Sequence, residues 1–98
     1  MLLNRSNRVL GIADIPLGGV NGTFVDPKVI FAIALKANAS SIILCHNHPS
    51  GSLKPSYADI RMTEQLKSGG KILEVEVHDH LIITADNGYY SFTDGGNL

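Results

Sequence analysis

The order of apolar and polar positions predicts a sheet built around one buried strand. An uninterrupted apolar run at residues 42–45 is typical of a strand that is buried on both faces, and it predicts the centre of a sheet. Apolar residues 2–3 and 9–13 flank the polar stretch 4–8, which predicts an N-terminal hairpin. Strands usually run ~5–6 residues, so we expect that this chain begins in mid-strand, as a fragment of a longer protein. A natural short gene would be the alternative.

The C-terminal third predicts three further strands. Residues 71–77 alternate apolar with acidic side chains, as a half-exposed strand does. Residues 81–83 and 89–92 lie on either side of Asn87-Gly88, a strong signal for a two-residue hairpin turn. The element order is therefore ββ-α-β-α-βββ, an α/β (α+β) arrangement with helices packed against a mixed sheet.

Capping signals place two helices between these strands. Asp26 as N-cap and Pro27 at the first helical position open the first helix. Its apolar residues recur at helical spacing and predict the buried face: Val29, Ile30, Ile33, Ala34 and Ala37. The second helix begins near Ser56 and is expected to end at Ser68, because glycines commonly follow a helix C-terminus. Turns are predicted at Gly18-Gly19, at Asn21-Gly22 and after Pro49.

Composition narrows the class of protein. The length of 98 residues and the hydrophobic fraction of 44% predict a single globular domain over residues 1–98. A net charge of −1 gives no basic surface for nucleic acid. The sequence has no long apolar segment and no signal peptide, so the expected location is cytoplasmic. Cys45 is expected to be a buried, inert thiol, with zinc ligation as the sharper alternative.

The candidate chemistry lies at the end of the central strand. His46 and His48 are two residues apart, so an extended backbone puts both imidazoles on one side. Asp59 follows after a short loop, in the first turn of the second helix. Three protein ligands leave one coordination position open, as in catalytic zinc sites.

Each of these residues also has a purely structural interpretation. Histidines at a strand end commonly mark the exit from the core. Ser56 and Asp59 have the spacing of a capping box, and a carboxylate in a first helical turn needs no metal to explain it. The combination favours a metal site, because the loop from strand to helix holds the carboxylate near the imidazoles.

The motif resembles that of a known metalloenzyme family. His46-x-His48, seven residues, then Ser56-x-x-Asp59 is similar to the JAMM motif of the JAB/MPN metalloenzymes. The fuller string from His46 to Gly51, with Pro55-Ser56 following, resembles the bacterial RadC branch. The resemblance covers essentially the whole chain.

The resemblance implies an MPN/JAB fold, similar in layout to cytidine deaminases. It implies Zn²⁺ bound by His46, His48 and Asp59, with Ser56 as the catalytic hydrogen-bond donor to a developing oxyanion. The implied activity is hydrolysis of amide or isopeptide bonds in a protein or peptide substrate. The family name is associated with DNA repair, but no residue of this chain supports that role.

One expected residue is absent from the 98 residues. The JAMM motif includes an upstream glutamate that takes a proton from water, and in RadC-like sequences it precedes the first strand. Asp14, expected in the second strand, is a poor substitute because of its shorter side chain. Glu64, Glu74 and Glu76 are expected to be solvated surface residues. The alternative function is therefore a non-catalytic MPN module that binds a partner and keeps the metal.

A second cluster, His78-Asp79-His80, lies between two predicted strands. We expect a polar strand connection, at least for His78. Alternatively, Asp79 or His80 orients a metal ligand by contacting it without binding the metal itself. A zinc nucleobase deaminase would require His-x-Glu and Pro-Cys-x-x-Cys, and the chain has neither.

Overall fold

The structure is a computed structural model that describes residues 1–15, 25–48 and 50–98. Within these ranges it contains five strands and two helices. In chain order they are β1 Leu2–Leu3, β2 Val9–Gly11, α1 Pro27–Lys36, β3 Ser41–Asn47, α2 Tyr57–Leu73, β4 Glu76–Ile83 and β5 Tyr89–Ser91. The turns predicted at Gly18-Gly19 and Asn21-Gly22, and Pro49 itself, lie outside the described residues.

The five strands form one mixed sheet in the order β2-β1-β3-β4-β5. The central position predicted for β3 is confirmed. β3 runs antiparallel to β1 and parallel to β4, and α2 makes the connection that a parallel pair requires. The fold class is therefore as predicted, two helices packed against a mixed sheet.

The predicted start of α1 is also confirmed. Asp26 is the N-cap, and its carboxylate accepts a hydrogen bond of 2.9 Å from the Lys28 N–H. The buried face differs slightly from the predicted one, because Phe31 is buried together with Ile30 and Ala34.

Both helices contribute to one hydrophobic core on one face of the sheet. The core joins Phe31 of α1 and Leu66 of α2 to Ile42 of β3 and Val77 of β4. The prediction that β3 is buried on both faces was wrong for its second half. Cys45 is exposed, because its side chain alternates away from the face that the helices cover. Neither helix in the described part of the chain is long and apolar enough to cross a membrane.

The end of α2 is the clearest departure from the sequence prediction. The helix continues through Gly69 and Gly70 to Leu73, so the strand predicted over residues 71–77 is wrong at its start. Glu74 adopts the left-handed conformation that ends the helix, with φ of 57°. A Cβ on Gly70 would collide with the backbone carbonyl of Val75. The glycine is therefore explained by close backbone approach rather than by helix termination.

The C-terminal strands number two rather than three. β4 is continuous from Glu76 to Ile83, so His78 and His80 lie inside a strand and not in a connection. The β3–β4 register shifts there, because Ile42 pairs with Val77 whereas the next residue, Ile43, pairs with Asp79. The shift leaves one extra residue in β4. Val77 and His80 are an odd number of residues apart, so a regular strand would put them on opposite faces of the sheet. The extra residue puts both on the face that the helices cover.

The hairpin between β4 and β5 is confirmed, with a longer tip than predicted. The Thr84 N–H donates to the Gly88 carbonyl at 2.9 Å, so residues 85–87 form the tip.

Gly70→Ala is expected to destabilise the protein. Alanine is normally favoured over glycine inside a helix by about 1 kcal/mol, but the clash with the Val75 carbonyl reverses the sign here. Overpacking of this kind costs roughly 1–3 kcal/mol. Urea denaturation would measure the change, and Ser68→Ala at an exposed position of the same helix is the control, expected to be neutral or slightly stabilising. A stabilised Gly70→Ala variant would contradict the packing described for α2.

Candidate metal centre

The end of β3 and the start of α2 bring three candidate ligands together. His46 and His48 lie at and just beyond the end of β3, and Asp59 lies in the first turn of α2. The Nε2 atoms of His46 and His48 are 3.2 and 3.0 Å from the two carboxylate oxygens of Asp59. One potential ligand atom from each residue lies within 4.8 Å of the others. The three residues could therefore hold one metal ion.

The start of α2 fixes the orientation of Asp59. The Asp59 N–H donates to Ser56 Oγ at 3.0 Å, and the Ser56 N–H donates to Asp59 Oδ2 at 2.8 Å. This reciprocal pair is the predicted capping box. The carboxylate serves the helix terminus and faces the imidazoles at the same time, so the structural and the metal-site interpretations are compatible.

The loop after β3 fixes the tautomer of His48. His48 Nδ1 lies 2.9 Å from the Ser52 carbonyl oxygen, which can only accept a hydrogen bond. Nδ1 therefore carries a proton, and Nε2, which lies 3.0 Å from Asp59 Oδ2, is the nitrogen directed at the site. The same loop is bound to the β4–β5 hairpin, because the Asn87 amide donates to the Gly51 carbonyl at 2.8 Å.

His46 has one buried ring nitrogen, Nε2, that faces the Asp59 carboxylate. Its Nε2 is shielded from solvent and has no aligned hydrogen-bond partner among the described residues, although Asp59 Oδ1 is only 3.2 Å away. Buried polar atoms are nearly always satisfied, so such an atom beside a carboxylate and a second imidazole is available to a ligand or ion. Two imidazole nitrogens and a carboxylate oxygen are also a donor set that zinc accepts. The site fits a divalent metal.

Electrostatics favour the protonation states that metal binding requires in His46 and Asp59. Burial lowers the pKa of His46, and the attraction of Asp59 opposes this only in part. Burial alone would raise the pKa of Asp59, but its hydrogen bonds with Ser56 and the nearby His46 bring that pKa below the ordinary value. A neutral imidazole and an ionised carboxylate are the forms that bind metal.

His80 is the residue whose role the sequence left open. It is almost completely buried, with 1% of its surface exposed, and its ring stacks on Phe92 at a centroid distance of 4.4 Å. His80 Nε2 lies 2.7 Å from His46 Nδ1, and His80 Nδ1 lies 2.6 Å from the hydroxyl of Thr63. Thr63 was missed, because a threonine inside a helix carries no signal of its own in the sequence.

The other charged candidates lie apart from this cluster. Asp14 is exposed and lies beyond the end of β2, so its predicted place in the second strand was wrong. The three glutamates, Glu64, Glu74 and Glu76, are exposed as predicted.

The remaining members of the second cluster have structural partners. His78 contacts the Asn7 side chain at 3.0 Å. Asp79 accepts hydrogen bonds from the Ser91 hydroxyl and the Thr93 N–H, which attach the C-terminal segment to β4.

Comparison with known proteins gives a consistent family match. A family model described as a RadC-like JAB domain matches residues 1–97. A UPF0758 protein of Flavobacterium johnsoniae is 49% identical over 98% of this chain and 42% of its own length. UPF0758 proteins of Alkaliphilus metalliredigens and Porphyromonas gingivalis are 47% and 41% identical, over 95% and 100% of this chain and 40% and 43% of their own lengths. The chain spans about two fifths of the length of these relatives.

Stability without metal is expected to fall as the pH drops from about 6.5 to 4. Burial and the neighbouring His46 lower the pKa of His80 to about 4, against an ordinary value of 6.5. In this pH interval the unfolded chain therefore binds a proton at His80 that the folded chain does not bind. The free energy of unfolding is expected to fall by at most about 3 kcal/mol as a result.

Urea denaturation at a series of pH values, with a chelator present, measures this dependence. The matched variant His80→Gln removes the titrating group, and its stability is expected to depend less on pH in the same interval. Identical slopes for both proteins would contradict a buried neutral His80.

Proposed function

Since the chain belongs to the family of RadC-like JAB domains, we propose that it is a zinc-binding hydrolase domain that acts on amide or isopeptide bonds. His46, His48 and Asp59 are the ligands in this proposal. The observation that carries it is the buried His46 Nε2, which lies 3.2 Å from a carboxylate oxygen without an aligned hydrogen bond and so is available to a cation.

The donor set supports zinc in particular. Imidazole and carboxylate ligands suit zinc, and three of them leave a position open for catalysis. When bound, zinc lowers the pKa of water and polarises a carbonyl group. The chain's own contribution is to hold these three side chains at fixed distances before the metal arrives.

Ser56 is the proposed donor to the oxyanion of the substrate. Its Oγ accepts the Asp59 N–H, which leaves the hydroxyl proton free for another acceptor. Ser56 is exposed and directly precedes α2, so a substrate carbonyl can approach it beside Asp59. A donor placed in this way stabilises the charge that develops in acyl transfer.

The proton acceptor is proposed to be a glutamate supplied by a longer form of the protein. The exposed Asp14, Glu64, Glu74 and Glu76 lie outside the cluster of ligands. A general base must reach the proton that it takes within hydrogen-bond distance. The peptide or isopeptide substrate is likewise a proposal, as the chain covers only part of its relatives.

Zinc titration tests the ligand set. The purified protein is expected to bind one zinc ion, and His46→Ala, His48→Ala and Asp59→Asn should each weaken binding by more than ~100-fold, the upper range for residues that only support a ligand. His78→Ala is the matched control, a histidine that contacts Asn7 and should leave zinc binding unchanged. Equal zinc affinity in the wild type and all three ligand variants would refute the site.

A hydrolysis assay tests whether catalysis requires a general base in addition to the metal. With zinc, the 98-residue chain is expected to cleave amide and isopeptide substrates slowly. A form extended upstream by a glutamate-bearing strand should be faster by ~10²–10⁴-fold, the usual contribution of positioned proton transfer.

Two variants identify the base in this assay. Changing the added glutamate to glutamine should remove the gain in rate and keep any gain in stability, because the strand remains. Fast zinc-dependent cleavage by the 98-residue chain, unchanged in Asp14→Asn, would show that the base lies elsewhere. No gain in the extended form would favour the non-catalytic, partner-binding module.

A further inference from the structure

A chain of hydrogen bonds lies behind the proposed metal ligands. It has a direction, in the sense that the donor in each bond can be identified. It begins at the Thr63 hydroxyl, which lies 2.7 Å from the backbone carbonyl oxygen of Asp59, one turn earlier in α2. A carbonyl oxygen has no proton to give, so the proton in this contact belongs to Thr63. A hydroxyl has only one proton. Every other hydrogen bond of Thr63 Oγ1 must therefore be one that it accepts.

The same reasoning identifies which nitrogen carries the proton in each of the two imidazoles. His80 Nδ1 lies 2.6 Å from Thr63 Oγ1, so Nδ1 must carry a proton. A neutral imidazole has one N–H, so His80 Nε2 is an acceptor. His46 Nδ1 lies 2.7 Å from it and must donate. His46 Nε2 is consequently left with a lone pair, and this is the atom that faces Asp59.

The opposite direction is disfavoured at the Thr63 end. It would leave the Thr63 and Asp59 oxygens 2.7 Å apart with no proton between them. Two acceptors in contact without a shared proton repel each other, and a buried polar group without its hydrogen bond is costly. The proton of Thr63 therefore sets the direction.

On the basis of the function proposed above, we propose that Thr63 and His80 are positioning residues that hold His46 in the Nδ1–H tautomer, with Nε2 free to bind the metal. Burial makes the pair suited to this role, because only 1% of the surface of each residue is exposed and water does not compete. His48 obtains the same tautomer from a backbone carbonyl, whereas His46 depends on two side chains.

Substitutions at Thr63 separate the hydroxyl from the shape of the side chain. Thr63→Val keeps the volume and removes the hydrogen bonds, and Thr63→Ser keeps the hydroxyl. Zinc affinity, measured by competition with a chromophoric chelator, is expected to fall ~10–100-fold in Thr63→Val and to recover in Thr63→Ser. In a His80→Gln background, where the glutamine oxygen can accept from His46 by itself, Thr63→Val should have little further effect.

Nitrogen-15 NMR of the imidazoles at a pH where they are neutral reads the tautomer directly, without metal. His46 should be protonated at Nδ1 in the wild type and in Thr63→Ser, and should shift towards the other tautomer in Thr63→Val. Denaturation of the same variants reports any loss of folding separately.

The outcomes distinguish this proposal from the metal site itself. A wild type that binds no zinc but shows His46 protonated at Nδ1 would refute the metal centre and support the positioning chain. Zinc binding that is equal in Thr63→Val and Thr63→Ser, or a wild-type His46 protonated at Nε2, would overturn the positioning role.

Discussion

The candidate site depends on how the carboxylate of Asp59 is bound at the start of α2. One oxygen accepts the Ser56 N–H at 2.8 Å and also lies 3.0 Å from His48, while the other faces His46. A carboxylate suits this position without any metal, because the unpaired N–H groups of a helix N-terminus attract negative charge. The helix therefore holds this candidate ligand in place without any metal. The energy of the cap offsets part of the cost of partly burying this charge.

The irregular pairing of β3 and β4 has an equally specific consequence for the site. Because one extra residue is accommodated near His78, both Val77 and His80 face the helices. Val77 then completes the hydrophobic core, and His80 reaches His46 and Thr63 at hydrogen-bonding distance. A regular strand would turn one of these two side chains away. Core packing and support of the candidate metal ligand therefore depend on the same irregularity.

Each proposed ligand is thus restrained by a different kind of partner. Asp59 is held by a helix cap, His48 by a backbone carbonyl in the loop, and His46 by a buried side chain. Restraint from several elements reduces the reorganisation needed when a ligand binds, which is how supporting groups tune metal sites. This arrangement suits a group of residues that could hold a metal ion better than a fortuitous cluster of histidines at a strand end.

The sequence alone determined the elements that depend on local chemistry. The caps at Asp26 and Ser56 predicted both helix starts, and the apolar run before His46 predicted the central strand, because such signals act within a few residues. The candidate ligand set followed from spacing and from the family motif, and the structure brings its three residues together. Only the tertiary structure decided where α2 ends, since Gly70 is required by contact with Val75 and not by a turn. Only it decided that Cys45 is exposed and that His80 stands behind His46. These outcomes depend on which face of the sheet the helices cover and on the register between two strands, and both are set by contacts between residues far apart in the sequence.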